Sequence, residues 1–275
     1  MNSKPTFFAF AFLILVSSAS CSDYQKLLNS SDAGEKYKQA EIYYNEGDYR
    51  RANRLLEQIV PKYRGKPQAQ RIIFFFADSY FQTKRYRLAA YEYEKFVKTY
   101  PKSDRLQEAS FKAAKSYYFQ SPKYSLDQSS TFDAIEKLQV FINLYPNSEY
   151  AIEANQMISE LQEKLEQKNF EIAKQYYTTR DYKPAIKACD NFIANFPGTK
   201  FREEALFVKF KASYVIAINS IQSKKLERLE TLRQQYNTII RYYPETLFLQ
   251  ELENRIKKVD SEINRLNKTN TSLSK

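Results

Sequence analysis

The sequence has 275 residues, no histidine, 4 glycines, 23 tyrosines, 20 phenylalanines and a formal charge of +11. Without histidine there is no Ser–His–Asp or Cys–His catalytic group and no imidazole metal site, and so few glycines make no phosphate-cradling loop. Scarce glycine among abundant Glu, Lys, Gln, Ala and Leu favours helix.

Residues 1–20 read as a signal peptide. Lys4 gives a basic start, Phe7 to Val16 is an apolar run too short to span a bilayer, and Ser17-Ser18-Ala19-Ser20 supplies small residues before Cys21. A small-residue stretch ending in cysteine resembles the bacterial lipobox, which implies lipidation of Cys21 and a membrane anchor. The alternative is plain secretion with Cys21 incidental. By the sorting rule of enteric bacteria, Ser22 in place of Asp implies the outer membrane; the expected orientation is periplasmic, with surface exposure signalled by Ser22-Asp23-Tyr24-Gln25-Lys26 as the alternative. Loss of Lys4 with the signal peptide leaves a charge of +10 (11 − 1). Export argues against a nucleic-acid partner; the basic surplus suits anionic headgroups or acidic protein surfaces, or is a solvated face. Cys189 is then the one other cysteine, so no internal disulfide forms.

Residues 21–34 are short and polar and read as a tether. Helical periodicity follows. Ala40 and Tyr43, a turn at Gly47-Asp48-Tyr49, then Ala52, Leu56 and Ile59 describe a helix pair. Ala77 and Tyr80, a turn at Lys84-Arg85-Tyr86, then Ala89, Tyr93 and Phe96 repeat it, as do Ala173, Tyr176, Arg180-Asp181-Tyr182, Ala185, Cys189 and Phe192. Between pairs stands one phrase: Tyr100-Pro101-Lys102-Ser103, Tyr145-Pro146-Asn147-Ser148, Phe196-Pro197-Gly198-Thr199 and Tyr243-Pro244-Glu245-Thr246. Proline stops one helix, and the hydroxyl residue is expected to cap the next. A Glu follows each phrase, at positions 108, 153, 204 and 251. Residues 120–128 form a loop inside the third pair, and a similar insertion is expected around Ile218 to Lys225. No Gly or Pro falls between Ser148 and Thr178, which predicts one long helix of about 30 residues, roughly 45 Å.

Small residue, aromatic, alanine, bulky residue and terminal proline in this order resemble the tetratricopeptide pattern. The fold class is all-α: an α-solenoid of about five tetratricopeptide-like helix pairs. Residues 35–147 form an N-terminal block, 148–262 a long connecting helix and a C-terminal block, and 263–275 a disordered tail. The alanines allow helices to approach closely.

Cys189 occupies a bulky core position, so a packed thiol is expected rather than a nucleophile. No carboxylate pair is distinguished, no cofactor is implied and an enzyme is not expected. Binding is better provided for. The residue after each expected core tyrosine is again aromatic: Tyr44, Phe81, Tyr118 and Tyr177. In the tetratricopeptide arrangement these face the concave wall, as rings for extended peptides. The other reading is that they cover neighbouring helices. Lys84, Arg85 and Arg87 cluster at a turn that suits phosphate, carboxylate or solvent.

Together with the anchor, the phrase Tyr145-Pro146-Asn147-Ser148-Glu149-Tyr150 and the stretch from Ala173 through Tyr176-Tyr177-Thr178-Thr179-Arg180 to Ala185 resemble the BamD family. So does Phe196-Pro197-Gly198-Thr199 followed by Glu203-Glu204-Ala205-Leu206. These are lipoproteins of the β-barrel assembly machinery, and the resemblance covers nearly the whole mature chain. It implies C-terminal units that bind a BamA-like subunit, with Arg180 keeping its place in the family phrase, and N-terminal units that receive unfolded outer-membrane proteins. It also implies other assembly lipoproteins as partners. Many members carry Arg where this chain has Cys189, which removes any contact made by that Arg. The alternative is a tetratricopeptide lipoprotein serving another envelope process, such as cell division or pilus assembly.

Overall fold

A computed structural model describes residues 23–273, so the expected signal peptide and Cys21 lie outside the described residues. Twelve helices and no strand are found among the described residues. Helix α1 covers residues 23–29. There follow α2 (Ala33–Asn45), α3 (Tyr49–Tyr63), α4 (Ala69–Gln82), α5 (Tyr86–Thr99), α6 (Leu106–Tyr118) and α7 (Ser129–Leu144). The remainder are α8 (Ala151–Thr178), α9 (Tyr182–Asn195), α10 (Arg202–Ile218), α11 (Gln222–Tyr242) and α12 (Leu249–Leu273).

Two compact units result. Among the described residues, unit 1 holds 23–122 together with Asp127–Leu161, and unit 2 holds Lys123–Leu126 and 162–273. Helix α8, 28 residues without a break, begins in unit 1 and ends in unit 2.

Inside three of the helix pairs, α2–α3, α4–α5 and α8–α9, the turn is a Schellman closure. The N–H of Gly47 bonds the Tyr44 carbonyl and that of Asp48 the Tyr43 carbonyl; Lys84 and Arg85 do the same to Phe81 and Tyr80, and Arg180 and Asp181 to Tyr177 and Tyr176. The closing residue must be left-handed: φ is 82° at Gly47, 60° at Lys84 and 67° at Arg180. Glycine adopts this freely, whereas a side chain costs about 1 kcal/mol there.

Between pairs the proline phrase builds a second joint, and here the expected capping is corrected. The hydroxyl does not accept from the new helix. Ser103, Ser148, Thr199 and Thr246 accept the N–H of the residue two further on, Arg105, Tyr150, Phe201 and Phe248, at 3.1–3.4 Å. The turn ties that residue just outside the helix and aims its side chain back at the preceding pair. Tyr150 stacks on Phe111 at 4.8 Å between centroids, Phe201 on Phe170 at 5.4 Å and Phe248 on Phe207 at 4.1 Å. Arg105 lies 4.4 Å over Phe74 in the same way. The four-residue phrase is thus a clamp between neighbouring pairs rather than a helix cap.

The alanines sit where helices touch: Ala40, Ala52, Ala77, Ala89, Ala109, Ala134, Ala154, Ala173, Ala185 and Ala205 are buried. In unit 1 they are surrounded by Leu55, Leu56, Ile59, Phe74, Tyr93 and Phe96, and then by Phe111, Leu138, Phe141 and Leu161. Unit 2 is filled by Phe170, Phe192, Phe207, Phe210, Leu229, Leu232, Ile239, Leu252 and Val259. Each such large side chain contributes about 1.5–3 kcal/mol by leaving water.

Four further expectations are corrected. Residues 23–29 are not tether but helix, because Leu27 is buried in the unit 1 core and Tyr24 packs edge-on against Tyr43. The insertion expected around Ile218 to Lys225 is absorbed into helix length: α10 has 17 residues and α11 has 21. The tail does not begin at 263, since Ile263 and Leu266 continue the buried stripe of Val259 one and two turns on and α12 runs to Leu273. Tyr176 is 40% exposed, and it is Tyr177 that packs against Ala173, Cys189 and Val208.

Candidate functional site

The four expected wall aromatics end helices α2, α4, α6 and α8, each just before or within a helix-terminating turn, which holds them at the rim rather than in the core. All four are partly buried. Tyr44 is fully engaged: its ring stacks on Phe75 at 4.0 Å and 9°, and its hydroxyl donates to Asp78 Oδ2 at 2.6 Å. Phe81 meets Tyr86 and Phe119 edge-on at 5.6 and 5.9 Å. Tyr118 meets Phe119 at 5.3 Å and donates its hydroxyl to Glu160 Oε2 at 2.5 Å, a bond that, with burial, pushes the phenol up to about 12. Unit 1 therefore brings Phe81 and Tyr118 together through Phe119, while Tyr44 turns toward Asp78. Tyr177 belongs to unit 2, beside Tyr182 and 4.8 Å below the Lys211 ammonium.

Sequence reasoning missed Phe119, which is 43% exposed and stacked on Tyr86 at 4.7 Å. Its signal was a third consecutive aromatic, Tyr117-Tyr118-Phe119, at a helix end. Beside this stack, Lys84, Arg85 and Arg87 line an open recess of about 380 Å³ together with Tyr86, Gln120 and Ser130. Arg180 is exposed at the left-handed turn between α8 and α9.

Asp78 was missed as well. Its side chain is buried and accepts from Tyr44, from Tyr93 at 2.6 Å, from Lys112 Nζ at 2.7 Å and from Gln82 at 3.3 Å. Burial alone would push this carboxyl up. The Lys112 charge and the hydrogen bonds from Lys112, Tyr44 and Tyr93 outweigh it and hold the carboxyl below its ordinary value. The same contacts raise the phenols of Tyr44 and Tyr93, burial first and Asp78 second. A carboxylate kept ionised and saturated with donors has no free lone pair for acid–base work; it joins α2, α5 and α6 to α4. A single Asp inside the run Ile72 to Tyr80 was the available signal.

Cys189 is fully buried, and burial, with Asp190 adding to it, pushes the thiol up to about 12. Such a thiol stays protonated and packs as a small apolar group. Among the described residues there is no cluster of three or more metal-ligating side chains, and no helix is long and apolar enough to cross a membrane.

A family of outer membrane lipoproteins, YfiO, matches residues 29–229 and again 176–268. The outer membrane protein assembly factor BamD of Caulobacter vibrioides is 26% identical over 151 residues, 55% of this chain and 50% of that protein. The chain thus spans half the length of that relative. BamD of Rickettsia prowazekii is 25% identical over 66% of this chain and 75% of its own length. For BamD of Pasteurella multocida the figures are 22%, 81% and 90%.

Proposed function

Because this chain belongs to the YfiO family of outer membrane lipoproteins, we propose that it is a non-enzymatic scaffold of the β-barrel assembly machinery in the outer membrane. In this reading a lipidated Cys21 anchors it, facing the periplasm, and residues 35–147 receive unfolded outer-membrane proteins. Residues 148–262, with Arg180 at the first turn after α8, hold a BamA-like subunit, and other assembly lipoproteins join it.

The observation that carries the proposal is the family match over both units, together with relatives named for outer membrane protein assembly. The aromatic residues at the helix ends support this reading. Rings at Tyr44, Phe81, Tyr118 and Tyr177 stand at helix ends, and Phe81, Phe119, Tyr86 and Tyr118 form one connected cluster with Phe119 open to solvent. Stacked and edge-on rings of this kind hold apolar and aromatic side chains of an extended chain at about 0.5–1.5 kcal/mol per ring pair. The cations at Lys84, Arg85 and Arg87 add an attraction for acidic segments that salt weakens.

Affinity purification of the tagged full chain from detergent-solubilised envelopes tests the proposal. Recovery of a BamA-like subunit is the expected result. Recovery of division or pilus proteins alone, with normal β-barrel levels after depletion of this chain, transfers it to another envelope process.

A further inference from the structure

Four of the helix pairs, all but α2–α3, place a phenylalanine under the clamp of the next joint: Phe74, Phe111, Phe170 and Phe207. Four residues later, one turn along the same helix, comes a charged side chain: Asp78, Lys115, Lys174 and Lys211. The three lysines lie over the phenylalanine of their own helix, at 5.5, 5.5 and 4.5 Å. Two of them reach forward to the Glu that follows the next joint. Lys115 pairs with Glu153 at 2.6 Å and Lys174 with Glu204 at 2.8 Å. By this rule Lys211 belongs to Glu251.

Lys211 does not make that pair. Arg255, one turn beyond Glu251 on α12, takes the carboxylate at 2.7 Å, while its guanidinium carbon lies 4.8 Å over Tyr214. An i,i+4 partner on the same helix needs no inter-helix fit, which favours it over a lysine from a neighbouring pair. Lys211 is left partly buried between the rings of Tyr177 and Phe207, with no carboxylate in ion-pair distance among the described residues. Burial depresses its ammonium; Glu251 is the largest opposing influence, Arg255 and Lys174 lower the ammonium further, and Glu204 raises it least, with a net shift downward.

We propose that Lys211, held between Tyr177 and Phe207, receives a side-chain carboxylate from a partner protein. The two equivalent lysines each hold a carboxylate in this slot, which sets the ligand chemistry. A carboxylate arriving from outside restores the pairing that the ladder makes twice, and the flanking rings exclude water from it. The inference rests on the reading of residues 148–262 as the partner-docking half.

The test titrates hexaglutamate, hexaglutamine and inorganic phosphate into the purified full chain. Binding is measured by isothermal titration calorimetry for the unaltered chain, Lys211→Gln and Lys211→Arg, and located by the carbon-13 Cε signal of Lys211 in the unaltered chain, assigned with Lys211→Gln; circular dichroism confirms that both variants are folded. Expected are a saturable movement of the Lys211 signal with hexaglutamate, no response to hexaglutamine, and retained binding in Lys211→Arg. Binding should be about tenfold weaker in Lys211→Gln, which is about 1.4 kcal/mol. A signal that stays still, or that moves as far with phosphate, overturns the proposal. Envelope pull-downs separate this inference from the function it rests on. Equal recovery of the assembly partner by Lys211→Gln and the unaltered chain keeps the scaffold and discards the carboxylate site. Hexaglutamate binding through Lys211, with no assembly partner recovered, keeps the site and discards the scaffold.

Discussion

Asp78 in unit 1 and Lys211 in unit 2 occupy the same slot, one turn beyond a phenylalanine clamped by the following joint. Asp78 gathers donors from four residues, two of them tyrosines that the packing of α2 and α5 delivers to it. Lys211 finds two aromatic faces and no carboxylate, because α12 supplies its own arginine to Glu251. One backbone slot thus serves two ends. A buried charge with every lone pair occupied fixes helices relative to each other, and a partly buried charge left unpaired is available to something else. The sign of the charge matters less than whether its neighbours are spoken for.

The comparison breaks most visibly at Asp78. Asp78→Ala leaves two phenols without their acceptor and Lys112 with Glu108 alone, at 3.1 Å, and is expected to cost about 3–5 kcal/mol of unfolding free energy. Urea denaturation of the full chain measures it, with the loss confined to unit 1; an effect under about 1 kcal/mol would dismiss the hub. A smaller effect appears in acid. The folded value of Asp78 lies below its ordinary 3.8, so the stabilisation is complete above that value and is lost as pH falls from there through the folded value. Asp78→Asn is expected to flatten this part of the pH–stability profile, which thermal scans across the acid range would show. The smallest effect sharpens the contrast. Lys211→Met is expected to change unfolding free energy by less than about 1 kcal/mol, because the lost cation–π contacts are offset by removal of a desolvated charge. A large loss in the same urea titration would make Lys211 a structural residue like Asp78.

Much of the architecture is legible in the sequence. Alanines at most close helix contacts, the proline phrase at four of the five inter-pair joints and the unbroken stretch that becomes α8 follow from local rules of period and backbone geometry. The errors were also local in origin. Ser and Thr after proline were read as helix caps, whereas the bond they make lies one step earlier, in the turn that aims Tyr150, Phe201 and Phe248 at the preceding pair. Tyr176 was placed in the core by analogy with Tyr80, yet the packing of Cys189 and Val208 draws in its neighbour Tyr177. Residues 23–29 and Ile263 and Leu266 looked too sparse in apolar content to fold, and neighbouring helices supplied the surface that buries Leu27, Ile263 and Leu266.

For the candidate site the balance is reversed. The rings at Tyr44, Phe81, Tyr118 and Tyr177 were found by register, but what each ring does was not. Tyr44 is bound to Asp78, 34 residues away, and Tyr118 to Glu160, 42 residues away. The sequence by itself determined the repeat, its two joints and the helix-end position of each aromatic, because those depend on hydrogen bonds and steric limits within a few residues. Which charge meets which was decided only by the tertiary structure. Asp78 became a hub because three other helices or turns deliver donors to it, and Lys211 was left over because an arginine on α12 reached Glu251 first.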